Sequence, residues 1–199
     1  MLSCFDIANY FIWSANKRGI KVYTMTIHKN VYIAQAEYLA IYNRPLFEED
    51  FQAWVWGPVI PEIFRQYKSY DSKKPISSNV QRPDISSEIA TFLDSISRAF
   101  IDVHRFTLSE LTHEEGSPWD VIRGNLEADE KSQEIIPKDL IKDYYQQVLL
   151  DDENREDLKN VNKFIDFLVK DSQNNPQKLV PYTEEMLKQD RQLLDSIFS

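Results

Sequence analysis

The residues that could most directly hold a metal, attack an electrophile or cradle a phosphate are three histidines, one cysteine and four glycines in a chain of 199. His28, His104 and His113 do not share the i, i+4 spacing of a metal-binding helix, and none lies near Cys4 in sequence, so the spacing predicts no metal site. His113-Glu114-Glu115 has the first half of a zinc-protease motif without its second histidine, and reads as a polar stretch after a capped helix. The glycines do not cluster as a phosphate-binding loop requires, which disfavours kinase and NTPase chemistry. Cys4 or a serine becomes a nucleophile only with a base in reach, and no spacing marks such a pair. The reading therefore assigns no catalytic, cofactor-binding or metal-ligating residue. The run Lys17-Arg18-Gly19-Ile20-Lys21 reads as a helix end whose cations favour the C-terminal dipole, ahead of a phosphate-binding patch.

A more distinctive stretch is Phe51-Gln52-Ala53-Trp54-Val55-Trp56-Gly57-Pro58-Val59-Ile60-Pro61. Gly57 lets the backbone bend, and Pro58 and Pro61 reduce the entropy lost on ordering, so the two tryptophans sit on a rigid turn. Tryptophan serves both as core and as interface anchor, and both uses fit this segment.

These residues must be positioned by a fold of ordinary globular composition, 42% hydrophobic and 28% charged. A net charge of −9 repels phosphate backbones, which makes nucleic acid an unfavourable partner. A single cysteine, an aromatic amino-terminal segment containing Asp6 and the lack of any long apolar run predict a cytoplasmic protein that does not enter membranes. Ser3 to Asp6 reads as a capping box opening a helix with Phe5, Ala8, Phe11, Ile12 and Ala15 inward, stopped by Gly19. A second helix opens at Thr26, buries Ile27, Val31, Ala34, Tyr38, Leu39 and Tyr42, and pairs with the first. Alternation over Phe51, Ala53 and Val55 permits a short strand, and Pro61 starts a helix to about Tyr70. Asp71 to Pro83 reads as a mobile loop. Ile89, Phe92, Leu93, Ile96, Ala99, Phe100 and Val103 predict a helix over 87–103 at the centre of the core. Thr107 and Glu110 read as another capping box, Pro118 opens a short helix, and Pro137 opens one carrying Leu140, Ile141, Tyr144, Val148 and Leu149. The expected fold is mainly α, a compact multi-helix domain over 1–150 with at most a short strand or hairpin. Beyond the charged stretch Asp151-Asp152-Glu153, residues 151–199 read as a C-terminal helical extension, with stripes at Leu158, Val161, Ile165 and Leu168 and at Leu187, Leu194, Ile197 and Phe198.

Thr26-Ile27-His28-Lys29-Asn30-Val31-Tyr32-Ile33-Ala34-Gln35, then Pro45-Leu46-Phe47, Phe51-Gln52-Ala53-Trp54 and Gly57-Pro58-Val59-Ile60-Pro61-Glu62, resemble in order and spacing the SocA-like antitoxin family, or Panacea domain. Leu108-Ser109-Glu110-Leu111-Thr112-His113, Pro118-Trp119 and the helix after Ile136-Pro137 look like its remaining blocks, so the resemblance covers about Ser3 to Leu150. His28 and Asn30 stand where the family usually has glutamine and leucine beside its lysine. The resemblance implies a helical interaction module, often encoded in prophages and mobile elements, that neutralises the toxin from an adjacent gene by contact; one type of member delivers its toxin to an AAA+ protease. It implies no cofactor. The residues it marks are Lys29, Tyr32, Gln35, Trp54, Trp56, Gly57, Pro58, Pro61, His113 and Trp119, to which the apolar stripe Leu187, Leu194, Ile197 and Phe198 adds a candidate surface for the partner or for self-association. Two other readings stand beside the antitoxin. A DNA-binding autoregulator needs Lys17, Arg18 and Lys21 on one face, with Lys29 an optional addition to it, and a prophage accessory enzyme needs a cleft of converging titratable groups.

Overall fold

The computed structural model describes residues 2–70 and 74–154. Helix α1, Cys4–Lys17, starts at the capping box read from the sequence: the Ser3 hydroxyl accepts from the Asp6 amide at 3.3 Å, and the Asp6 carboxylate accepts from the Ser3 amide at 2.8 Å. Gly19, at φ +70, turns the chain out of it.

Helix α2, Thr24–Tyr42, opens two residues earlier than expected, and every residue from Thr26 to Ala40 is buried. A one-sided stripe therefore misdescribes it. α2 is surrounded by α1, α4 (Ser87–Phe100), α5 (Arg105–Thr112), the β2 strand (Gly57–Val59) and α7 (Lys138–Asn154), and it, not α4, is the central helix. Tyr42, expected in the core, is 40% exposed at its end. A helix buried on all sides must satisfy its polar side chains internally. The Gln35 amide does this by donating to Phe47 O at 2.9 Å and accepting from the Leu46 amide at 2.8 Å, which ties 46–47 to the helix. Asn43 ends α2 in the left-handed region, with its N–H on Leu39 O.

The alternation over 51–55 becomes β1, Phe51–Trp54, paired antiparallel with β2 as Gln52↔Val59, Ala53↔Pro58 and Trp54↔Gly57. A third strand, β3, Ile135–Ile136, pairs antiparallel on the other side of β1, giving the order β2-β1-β3. Two residues are too few to show periodicity, so the hairpin is legible in the sequence and its third strand is not. The fold is mainly α, with this small sheet against the helices.

Pro61 is the first residue of α3, Pro61–Tyr67. The segment expected as a mobile loop has no regular structure over 74–86, yet Ile76 is buried and its amide donates to Val22 O at 2.8 Å, so it is fastened to the α1–α2 connection; Asp71 to Lys73 lie outside the described residues. In α4, Leu93, Ile96, Ala99 and Phe100 are buried, whereas Ile89 and Phe92 are only half-buried because α4 lies at the edge of the helix group. The expected capping box at Thr107 does not form. His104 is the N-cap of α5 and Thr107 lies within the helix. Ser117 caps α6, Pro118–Arg123, through its hydroxyl and the Asp120 amide. α7 runs through the charged stretch at 151–153 to Asn154. The expected helices carrying Leu158 to Leu168 and Leu187 to Phe198 lie outside the described residues. Among the described residues no helix is long and apolar enough to cross a membrane.

Candidate functional site

Six of the marked residues meet where the hairpin tip touches α2, α5 and α6. Lys29 projects from α2 into the interior and is 1% exposed. Its Nζ donates to Trp56 O at 2.6 Å and to Thr112 Oγ1 at 3.0 Å, and no carboxylate pairs with it among the described residues. Burial without a counter-ion drives its pKa well below the ordinary lysine value. Thr112 passes the chain of bonds on, its hydroxyl donating to Ser109 O at 3.0 Å, and the Ser109 hydroxyl donates to the same Trp56 carbonyl at 3.4 Å.

Gly57 makes this approach sterically accessible. Neither Val55 nor Trp56 has positive φ, so Gly57, at φ +107, takes the left-handed step of the hairpin. A Cβ there would fall 1.6 Å from Lys29 Nζ and 2.9 Å from His113 Nε2. His113, the residue that ends α5, stacks flat on Trp119 with centroids 3.7 Å apart and planes 3° from parallel. Its pKa falls to about 3, chiefly through burial and then through the Lys29 charge. Trp119, from α6, donates its indole N–H to Trp54 O at 2.6 Å, and the Arg123 guanidinium lies over its ring at 5.1 Å from the centroid. The Arg123 guanidinium also donates to the carbonyls of Ala53, Glu127 and Glu130, gathering the chain that leads into β3.

Lys29, Trp54, Trp56, Gly57, His113 and Trp119 thus form one cluster. The other marked residues act elsewhere. Tyr32 packs edge-on to Phe51 and Tyr145, Gln35 holds the 46–47 turn, Pro58 pairs with Ala53, and Pro61 begins α3. Leu187, Leu194, Ile197 and Phe198 lie outside the described residues. Of the basic residues named for the DNA-binding reading, the optional Lys29 lies in the interior, and Arg18 is engaged with Ser97 O at 3.0 Å. Ser109 and Thr112, which lie in a family-like block but are not among the marked residues, and Arg123, which sequence reading missed, complete the cluster. A usable signal for it was present in Lys29 itself, a charge between Ile27 and the apolar stretch Val31 to Ala34. Lys29 Nζ donates to both acceptors it meets and is out of solvent, so the arrangement clamps the hairpin to three helices. Among the described residues no three His, Cys, Asp or Glu side chains are grouped to hold a metal.

The family model described as antitoxin SocA-like, Panacea domain, matches residues 27–120, the stretch that supplies the whole of this six-residue cluster. The chain is also similar to Antitoxin SocA of Caulobacter vibrioides (strain NA1000 / CB15N), with 28% identity over 128 residues, covering 58% of this chain and 68% of that protein. No solved structure matches it.

Proposed function

We propose that this chain, whose residues 27–120 match the SocA-like antitoxin family model, Panacea domain, neutralises a toxin protein, the product of an adjacent gene, by binding it directly rather than by catalysis. The observation that carries this reading is the family match over 27–120, because the matched blocks are the ones that build the buried clamp of Lys29, Gly57, His113 and Trp119. In this reading the motif residues hold the scaffold rigid, and exposed side chains make the contact with the toxin. A pre-organised surface loses little entropy on association, which suits a protein whose task is to occupy another. The acidic net charge of −9 favours a partner with a basic face.

The test is co-expression with the adjacent open reading frame, followed by titration of the purified products. The reading predicts a product that is toxic alone and harmless with this protein, with inhibition ending at a fixed molar ratio. Time-dependent inactivation of excess partner by a small amount of this protein would mean catalysis. Neutralisation that appears only when an AAA+ protease is added would mean delivery for degradation.

A further inference from the structure

α7 is held to the domain unevenly along its length. Its start is anchored: Ile136, just before it, pairs with Phe51 of β1, the Lys138 ammonium donates to Glu48 O at 2.7 Å and pairs with the Asp50 carboxylate, and Ile141 is fully buried. From Lys142 to Leu150 no residue is buried. The contacts that hold these later turns are few and partly open to solvent. The Tyr144 hydroxyl donates to Glu114 Oε2 at 3.3 Å, the half-buried Tyr145 ring meets Tyr32 edge-on at 6.1 Å, and the Gln146 amide donates to Ala40 O at 3.2 Å. A segment with so little buried apolar contact opens at a free energy below that of global unfolding.

Beneath these turns α2 buries Glu37 Oε2 and the Tyr32 hydroxyl, neither with a hydrogen-bond partner among the described residues. Glu37 lies about 60° around the helix from Ala40, and it is near enough to Tyr145 for its charge to add to burial in raising that phenol's pKa. The other ionisable groups at this seam are Tyr32 on α2, Tyr144 on α7 and Glu114 beyond α5, all of them acids. The cations on the two helices are engaged elsewhere: Lys142 pairs with Asp139 and Asp143 of its own helix, and Lys29 donates to Trp56 O and Thr112. An unpaired carboxylate is costly to bury, so the closed seam keeps Glu37 protonated. Lifting the later turns of α7 lets water reach both atoms, and the carboxyl then ionises at its ordinary value.

We propose that α7 from Tyr144 onward is a strap, hinged at its anchored first turns, that closes over α2 while Glu37 is protonated and lifts when that carboxyl ionises. The closed form holds a proton that the open form releases. Opening therefore becomes more favourable as pH rises from 4.5 to about 8, by up to about tenfold per pH unit, and levels off above that. The strap hides the Tyr32 and Glu37 face of α2 in acid, and bares it more often, with a negative charge on it, as pH rises. This device stands on the α2–α7 seam alone and does not depend on what the protein binds.

Hydrogen–deuterium exchange on the full chain between about pH 5 and 8, with rates corrected for the intrinsic pH dependence of amide exchange, tests this. A detached helix of this length is marginal in water, so its amides exchange whenever the strap is open. In the wild type the amides of 145–150 are expected to lose protection as pH rises, by about tenfold per pH unit at the steepest, while those of α1 and α4 do not follow. In Glu37→Gln the protection over 145–150 is expected to be independent of pH across the same interval. Far-ultraviolet circular dichroism checks that the variant is folded, and Glu37→Met, which also carries no charge, replaces it if it is not. Amides of 145–150 that exchange only in step with α1 and α4, or whose protection in the wild type does not change with pH, overturn the proposal. So does a pH-dependent loss of protection that persists when Glu37 is replaced.

Discussion

Gly57 and Lys29 compete for one place in the interior. A side-chain carbon on Gly57 would lie 1.6 Å from Lys29 Nζ, and its φ of +107 is a conformation other residues adopt only under strain. Gly57→Ala should therefore displace the lysine, leave Trp56 O without its closest donor, and cost about 3 kcal/mol or more in urea unfolding. A cost below about 1 kcal/mol would show that the clamp is dispensable. Glu37 on α2 supplies a second residue-level test. Burial pushes its pKa from 4.5 to about 8, and its Oε2 has no hydrogen-bond partner among the described residues. Between those values the folded protein holds a proton that the unfolded chain releases, so this carboxyl's contribution to stability declines as pH rises from 4.5 to 8. The difference in unfolding free energy between the wild type and Glu37→Gln should fall across that interval, and parallel profiles would contradict the assignment. His28 and His113 act in the opposite sense at lower pH. Both are held to about 3, so each makes the fold lose stability as pH drops from 6.5 toward 3.

At the scale of elements, the packing of α4 sets an order among its apolar residues. Leu93 is fully buried, whereas Phe92 is half-buried among Tyr38 and Tyr42 at the periphery. Leu93→Ala should cost about 2–5 kcal/mol through lost transfer energy and the cavity left behind, and Phe92→Ala distinctly less. Thermal or urea melts check the order, and a larger loss for Phe92 would contradict the peripheral position of α4. Much of this level was legible in the sequence. The Ser3–Asp6 box, Pro61 and Ser117-Pro118 mark helix starts by local chemistry, and the alternation before Gly57 marks the hairpin. What was illegible depends on distant neighbours. α2 shows an apolar stripe because its sequence is mixed, yet its polar face is also covered, and periodicity reports the residues of one helix but not what surrounds it. Thr107 matches the capping pattern as well as Ser3 does, but the chain has already entered the helix at Arg105. In the cluster, Lys29, Gly57 and His113 were marked by the family resemblance, while Thr112, which takes the second Lys29 hydrogen bond, stands in a family-like block with nothing to mark its role until the fold brings it within 3.0 Å.

The whole molecule joins a rigid interior to a charge distribution that is uneven along the chain. Residues 1–105 carry 12 basic and 11 acidic side chains, and the remainder carries the acidic excess. The matched domain spends its most distinctive side chains on internal contacts. Function by occupation then has a simple quantitative signature, because each bound partner consumes one molecule of this protein. The most direct measurement is titration of a fixed amount of the adjacent gene's purified product with this protein, reading the product's residual toxic activity at several incubation times and with no protease present. The account predicts a break at a fixed molar ratio that does not move with time. Activity that continues to fall at a small fraction of that ratio, or that is never lost at any ratio, would contradict neutralisation by direct binding.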